Sequence, residues 1–90
     1  MSTSKQDRRT LERRKDSLQN CMYAALDRYF QDMEGHEVVD VYDMVRGEVE
    51  QAMLEVVMNY TQGNQTRAAD VLGMSRATLR KKLRVYDVAQ

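Results

Sequence analysis

Apolar side chains recur every three or four residues through the middle of the chain, a spacing that places them on one face of an α-helix. The first such stripe consists of Leu18, Met22, Ala25, Leu26, Tyr29, Phe30 and Met33. It predicts a helix from about Ser17 to Met33. Asp16 or Ser17 can cap the start of this helix, and Gly35 suits its end.

A second run of apolar positions predicts a longer helix from about Asp40 to Thr61, with Asp40 as its N-cap. One stripe consists of Val41, Val45, Val49, Met53, Val56 and Tyr60, and another includes Tyr42, Leu54 and Val57. A helical hairpin has only one partner helix and therefore covers only one face. The surplus apolar surface predicts a homodimer with intertwined helices, although an unusually well-buried monomer has the same pattern.

Residues 64–84 predict two short helices separated by a glycine turn. Ala68 and Ala69 leave room for the second helix to cross the first, and Gly73 can adopt the left-handed turn between them. The apolar side chains expected to be buried are Val71, Leu72, Met74, Leu79 and Leu83. This spacing predicts a helix-turn-helix, a motif that places its second helix in the major groove of DNA.

Basic side chains concentrate on the face of the second short helix that lies opposite Leu79 and Leu83. Arg76 lies in the first turn, where recognition helices contact base edges, and an arginine there can donate two hydrogen bonds to guanine. The other predicted DNA-binding residues are Asn64, Thr66, Arg67, Ser75, Thr78, Arg80, Lys81, Lys82 and Arg84. For Asn64 and Ser75, N-capping of a helix is an alternative role.

The composition of the chain indicates an all-α fold, because its 90 residues include no proline and are rich in good helix formers. We expect three regions: a flexible charged arm at 1–16, a two-helix dimerisation core at 17–62 and the helix-turn-helix at 63–90. Beyond Met1, the arm has only Leu11 as a large aliphatic side chain, too little to offset its ordering entropy. A solubilising tail and a loose contact with DNA or a partner are both open for it.

The net charge of zero conceals a strong segregation of charge along the chain. Residues 1–16 carry six basic and three acidic side chains, and residues 17–60 carry two basic and nine acidic ones. Residues 61–90 carry six basic and two acidic side chains. Because an acidic body repels phosphate and a basic end attracts it, this distribution predicts that double-stranded DNA binds at the C-terminal end.

Candidate chemistry for catalysis or metal binding is sparse. The single cysteine, Cys21, has no second thiol for a zinc site, and the single histidine, His36, lies in a predicted turn that offers no pocket for a general base. We therefore expect no enzymatic activity and no cofactor. No apolar run is long enough to span a bilayer and the N-terminus lacks a signal-peptide pattern, so we expect a cytoplasmic protein without a membrane partner.

Three stretches of the chain resemble the Fis family of nucleoid-associated DNA-binding proteins, named after the factor for inversion stimulation. They are Glu48–Gln51, Tyr60–Ala69 and Thr78–Leu83, and the similarity extends over about residues 18–86. The resemblance implies a four-helix protomer in an intertwined homodimer, with two recognition helices in adjacent major grooves of bent DNA. It also implies regulation of transcription, with Arg76 contacting guanine. The residues that it implies for contacts with the backbone and flanking DNA are Asn64, Thr66, Arg67, Thr78, Arg80, Lys81 and Lys82.

The chain departs from enteric members of that family at several positions. Ala52 stands where they have a proline, Ser75 where the recognition helix often begins with asparagine, and Val85 where a lysine is common. RNA polymerase and a recombinase are open as further partners. Residues 1–16 show neither strand alternation nor a hairpin turn, so recombinase stimulation is not carried over from the resemblance.

Two other interpretations of the sequence stay open. The same type of domain ends NtrC-like transcriptional activators, although the initial methionine and the lack of an ATPase module favour a free-standing protein. A dimeric protein-interaction module, with the basic end only as a tether, is a different class of function. It predicts that affinity for DNA does not depend on salt, whereas phosphate contacts make affinity fall steeply with salt.

Overall fold

The computed structural model describes the backbone of residues 3–89 and the side chains of residues 17–89, and this part of the chain is helical without strands. The four helices are α1 (Thr3–Asp32), α2 (Val41–Tyr60), α3 (Gln65–Leu72) and α4 (Arg76–Val85). The predicted all-α class with four helices is confirmed. The chain divides into two compact units, Met1–Val39 with α1 and Asp40–Gln90 with α2, α3 and α4.

Helix α1 begins at Thr3, so the predicted start near Ser17 is wrong. Residues 3–16, expected to be a flexible arm, have a helical backbone. They contain neither glycine nor proline, and eight of these 14 residues are Arg, Lys, Glu or Gln, all good helix formers. Extending an existing helix also avoids the unfavourable nucleation step. The apolar stripe therefore marks only the part of α1 that has an apolar face. The helix propensity of the preceding residues extends α1 beyond that stripe towards the N-terminus.

Helix α2 has the predicted bounds to within one residue and runs without interruption through Ala52. Asp40 occupies its N-cap position, but its backbone is left-handed, with φ at 57°, and its side chain makes no capping hydrogen bond. The prediction of side-chain capping by Asp40 is wrong. An N-cap side chain reaches the amides of the first turn from an extended backbone, which Asp40 does not have.

The core of the second unit lies where α3 packs against both α2 and α4. Its buried apolar residues are Leu54, Met58, Ala68, Ala69, Leu79, Leu83 and Val88. The burial predicted for Leu79 and Leu83 is confirmed, since both are fully enclosed, and Leu72 and Met74 pack against the core as partly buried residues. The two alanines are small enough for the close helix crossing that the motif requires.

Val71 is 50% exposed, so its predicted burial is wrong. The reason is its position around α3. At about 100° per residue, Leu72 lies between Ala68 and Ala69 on the buried face, whereas Val71 lies roughly 110° away from the centre of that face. An apolar residue at the flank of a short helix needs a further neighbour to cover it.

Candidate nucleic-acid interface

The first helix of the candidate interface, α3, starts from an N-cap made by Asn64. The backbone of Asn64 is extended, and its side-chain oxygen accepts a hydrogen bond from the backbone amide of Arg67 at 3.1 Å. This bond satisfies one of the amides that the first turn of a helix leaves unpaired. Asn64 and Thr66 are both exposed at this helix start. The capping role considered for Asn64 is confirmed, and its contact with DNA stays a prediction.

The turn between α3 and α4 is formed by Gly73 in the left-handed conformation, with φ at 75°. The amide of Gly73 donates to the carbonyl of Ala69 at 2.8 Å, which closes the last turn of α3. Because a side chain at this backbone conformation is strained, glycine is the natural residue here. The predicted left-handed glycine turn is confirmed.

Ser75 caps the start of α4. Its hydroxyl oxygen accepts from the backbone amide of Thr78 at 3.1 Å and donates to the Thr78 hydroxyl at 2.9 Å. The capping role of Ser75 is therefore confirmed, and the Thr78 hydroxyl, which only accepts in this pair, keeps its own hydrogen available to donate. Arg76 then becomes the first residue of α4 and is exposed.

The exposed face of α4 carries basic side chains at four-residue intervals, namely Arg76, Arg80 and Arg84. Residues four apart lie one above the other on a helix, so these three side chains form a line. Lys81 is exposed as well. Nε of Arg80 donates to the side-chain oxygen of Gln65 at 3.3 Å, which links this line to the start of α3.

Arg67 lies over an aromatic ring at the edge of the same surface. Its guanidinium carbon is 5.7 Å from the centre of the Tyr60 ring, within the range of a cation–π interaction. Both residues are exposed, and Tyr60 retains 66% of its accessible surface. Stacking holds the charged group near the surface while its N–H groups stay free to bind an anion.

Lys82 has a different environment from the other basic residues of α4. Its ammonium nitrogen lies 3.1 Å from Oε2 of Glu50 on α2, and its side chain is 30% exposed. Oε1 of the same carboxylate accepts a hydrogen bond of 2.6 Å from the hydroxyl of Tyr86, and Arg46 approaches that oxygen to 3.8 Å. We call Glu50, Lys82, Tyr86 and Arg46 the Glu50 cluster.

Sequence reasoning placed Lys82 among the DNA-binding residues and missed its partner Glu50 on α2, together with Tyr86, which binds the same carboxylate. The signal available was helical spacing, because Lys82 and Tyr86 are four residues apart, as are Arg46 and Glu50. This spacing predicts that each pair shares a face of its own helix. It does not show that the two faces meet.

The Glu50 cluster shifts the proton affinity of two of its members. The hydrogen bond from Tyr86, together with that from Lys82, lowers the pKa of the Glu50 carboxyl below its ordinary value. The same hydrogen bond to Glu50 raises the pKa of the Tyr86 hydroxyl. At neutral pH the carboxyl is therefore charged and the phenol is neutral, which is the combination that maintains both bonds.

Acid should remove the contribution of this cluster to stability. Since the folded state lowers the pKa of Glu50, its stabilisation is present above the unfolded pKa and is lost as pH falls through the folded one. Tyr86, whose pKa is raised, stays neutral over that range. At pH 7, Glu50→Gln should unfold in urea with a free energy of unfolding about 1 kcal/mol below that of the wild type.

This gap between Glu50→Gln and the wild type should close progressively as the pH falls below the ordinary glutamate pKa. The matched control is Glu55→Gln, another carboxyl on α2, which is exposed and receives only a long hydrogen bond of 3.4 Å from Gln51. The free energy of unfolding of Glu55→Gln should stay close to that of the wild type at every pH. A gap for Glu50→Gln that stays constant or widens on acidification would contradict the assigned role of the charge.

A surface groove of about 500 Å³ lies at the other end of α2, at the junction with the C-terminal residues. Met58 and Val88 contribute apolar walls, and Glu55 and Asp87 contribute carboxylates. Its charge does not suit phosphate, so the groove lies outside the candidate interface. Within the described residues there is no group of three or more side chains suited to a metal ion, and no helix long and apolar enough to cross a membrane.

A short helix, a left-handed glycine turn and a second short helix with a basic exposed face define a helix-turn-helix protein. Residues 45–86 match the family model described as bacterial regulatory protein, Fis family. The chain is 54% identical to DNA-binding protein Fis of Aeromonas hydrophila over 69 residues, which are 77% of this chain and 70% of that protein. The chain therefore belongs to the Fis family.

A relative from Proteus mirabilis matches over a longer range. DNA-binding protein Fis of that organism is 46% identical over 85 residues, which are 94% of this chain and 83% of the relative. The match thus extends beyond the helix-turn-helix into the region of α1, in agreement with the resemblance found from the sequence.

Proposed function

We propose that this protein binds double-stranded DNA as a homodimer, bends it and regulates transcription as a nucleoid-associated protein of the bacterial cytoplasm. In this role the protein acts by binding DNA and not as an enzyme. The observation that carries it is the exposed line of Arg76, Arg80 and Arg84 on α4, a helix whose opposite face is anchored by fully buried Leu79 and Leu83. A rigidly held helix with a basic outer face suits the major groove.

In this proposal the side chains of the interface divide into two groups. Arg76, in the first turn of α4, reads guanine through two hydrogen bonds. Phosphates are contacted by Asn64, Thr66, Arg67, Thr78, Arg80, Lys81 and Arg84 at the starts and outer edges of α3 and α4. Such contacts set the position of the protein on the duplex and supply most of its affinity. Ser75 acts mainly by capping α4.

The homodimer is supported by apolar side chains that the single chain leaves exposed. Val49, Met53, Val56 and Tyr60 follow one another at steps of three and four along α2 and are between 42% and 67% exposed. Because these spacings place them on one stripe, they form an apolar surface suited to a second copy of the chain. A twofold dimer would present two copies of α4 to half-sites about one helical turn apart.

DNA bending follows from this arrangement if the two copies of α4 lie closer together than one turn of straight duplex. Bending costs energy that depends on the sequence being deformed, so it would also give preference at positions without direct contacts. Gel mobility of complexes on circularly permuted duplexes measures it. Mobility that depends on the position of the site supports bending, and constant mobility contradicts it.

Salt dependence of the affinity for duplex DNA tests the binding proposal. Fluorescence anisotropy of a labelled duplex should show affinity falling by about 10³-fold or more between 50 and 200 mM salt if the dimer neutralises roughly six or more phosphates. Arg84→Gln should lower the slope of log K against log salt by about 1 for each phosphate that the variant no longer neutralises. Arg28→Gln, an exposed arginine on α1, is the control and should leave the slope unchanged. An affinity that is independent of salt would contradict DNA binding and favour a protein-interaction module.

A further inference from the structure

The Glu50 cluster joins α2 to α4 at a point that the proposed DNA contacts do not use. The Glu50 carboxylate accepts a bond of 3.1 Å from the Lys82 ammonium on α4 and one of 2.6 Å from the hydroxyl of Tyr86, the C-cap residue of α4. These two residues are one helical turn apart, so the C-terminal end of α4 is held at two points. The Tyr86 ring also lies against α2, because a Cβ added at Gly47 would be 3.9 Å from the ring.

These bonds constrain α4 in a way that its apolar contacts cannot. Leu79 and Leu83 hold the helix against the core by burial, which is not directional. Hydrogen bonds to a single carboxylate are directional, and those to a charged group are stronger than neutral ones. The Glu50 cluster therefore restricts rotation of α4 about its own axis, and that rotation decides where Arg76 points.

We propose that Glu50 is a positioning residue for DNA recognition: through Lys82 and Tyr86 it sets the orientation of α4 relative to α2, and Lys82 acts on Glu50 rather than on a phosphate. This inference rests on the proposed function. Because α2 also carries the apolar stripe proposed for the dimer, an orientation fixed relative to α2 sets the geometry between the two copies of α4. The Glu50 cluster thereby determines which spacing of DNA half-sites the dimer accepts.

Selectivity for half-site spacing tests this role with two nearly isosteric variants, Glu50→Gln and Tyr86→Phe. Affinity is measured by anisotropy for duplexes with the best spacing and for duplexes with one base pair added or removed between the half-sites. Each such change rotates one half-site by about 35° relative to the other. We call the affinity for the best spacing divided by the affinity for an altered spacing the spacing ratio. Both variants should reduce the spacing ratio at least fivefold, while their affinity for non-specific duplex stays within about twofold of the wild type.

A control variant separates positioning from a general decrease in stability. Met74→Ala removes a partly buried side chain that packs against the core and does not belong to the Glu50 cluster. It should lower the melting temperature and leave the spacing ratio unchanged. If Glu50→Gln and Tyr86→Phe behave like Met74→Ala, with lower stability and an unchanged ratio, the positioning role is wrong. A wild-type protein that binds no duplex would instead contradict the proposed function itself.

The role of Lys82 has an independent test in its neighbour Lys81, which is exposed on the same helix. Lys81→Met should lower the salt slope of DNA binding by about 1 for each phosphate left without its lysine. Lys82→Met should leave the slope within error of the wild type and reduce the spacing ratio as Glu50→Gln does. A slope lowered equally by both substitutions would show that Lys82 binds phosphate, and would overturn its assignment to Glu50.

Discussion

Replacing Arg76 with alanine should abolish the preference of the protein for guanine in its best DNA site and leave its oligomeric state unchanged. Arg76 is exposed at the start of α4, so its removal leaves the core intact. A bidentate contact between arginine and guanine provides about 1–3 kcal/mol of discrimination, roughly 5- to 150-fold in affinity. Competition between the best site and a duplex whose guanines are replaced by adenines measures this preference.

The control for Arg76→Ala is Arg84→Ala, at the opposite end of the same exposed line. It should weaken binding to both duplexes by a similar factor, since a phosphate contact carries no sequence information. Sedimentation of both variants checks that they remain in the same oligomeric state as the wild type. If Arg76→Ala still prefers the best site over the duplex without its guanines as strongly as the wild type does, α4 lies differently in the groove and another residue reads the bases.

Introducing a charge into the apolar stripe of α2 should separate the dimer. Val56 is 67% exposed in the single chain, so Val56→Asp should cost the isolated protomer little. In an apolar interface between two chains, the same carboxylate would be desolvated without a partner, which is strongly unfavourable. We expect a monomer by sedimentation velocity. Its affinity for the full site should fall by about 10²-fold or more, because the second recognition helix is no longer linked to the first.

Val39→Asp is a matched control for that experiment. Val39 is 63% exposed, close to the value for Val56, but it precedes α2 and lies outside the stripe. The same substitution there should leave both mass and DNA affinity close to those of the wild type. If Val56→Asp sediments as the wild type does and binds as tightly, the stripe is not the dimer interface.

The helix-turn-helix could be predicted from the sequence because its determinants are local. Asn64, Gly73 and Ser75 each act on a backbone group within four residues, and each has the predicted capping or turn geometry. Leu79 and Leu83 follow the same logic, because residues four apart share a face. Membership of the Fis family agrees with this interpretation over a longer stretch of the chain.

The features that the sequence did not reveal depend on contacts between residues far apart in the chain, or on a competition between different local conformational preferences. Glu50 and Lys82 are 32 residues apart, and their contact depends on how α2 and α4 cross. No periodic pattern encodes that crossing. Helix α1 begins before its apolar stripe because good helix formers extend it towards the N-terminus. Asp40 does not cap α2 through its side chain because its backbone adopts a left-handed conformation.

Paired reading of two major grooves by Arg76 from two copies of α4 has a direct test in methylation interference at guanine N7. This atom accepts one of the two hydrogen bonds that arginine donates to guanine, and it faces the major groove. We predict that methylation of two guanines, symmetrically placed about one helical turn apart, prevents binding of the wild-type protein. Binding that tolerates N7 methylation at every guanine, or that is sensitive to methylation in one half-site only, would contradict paired reading by Arg76.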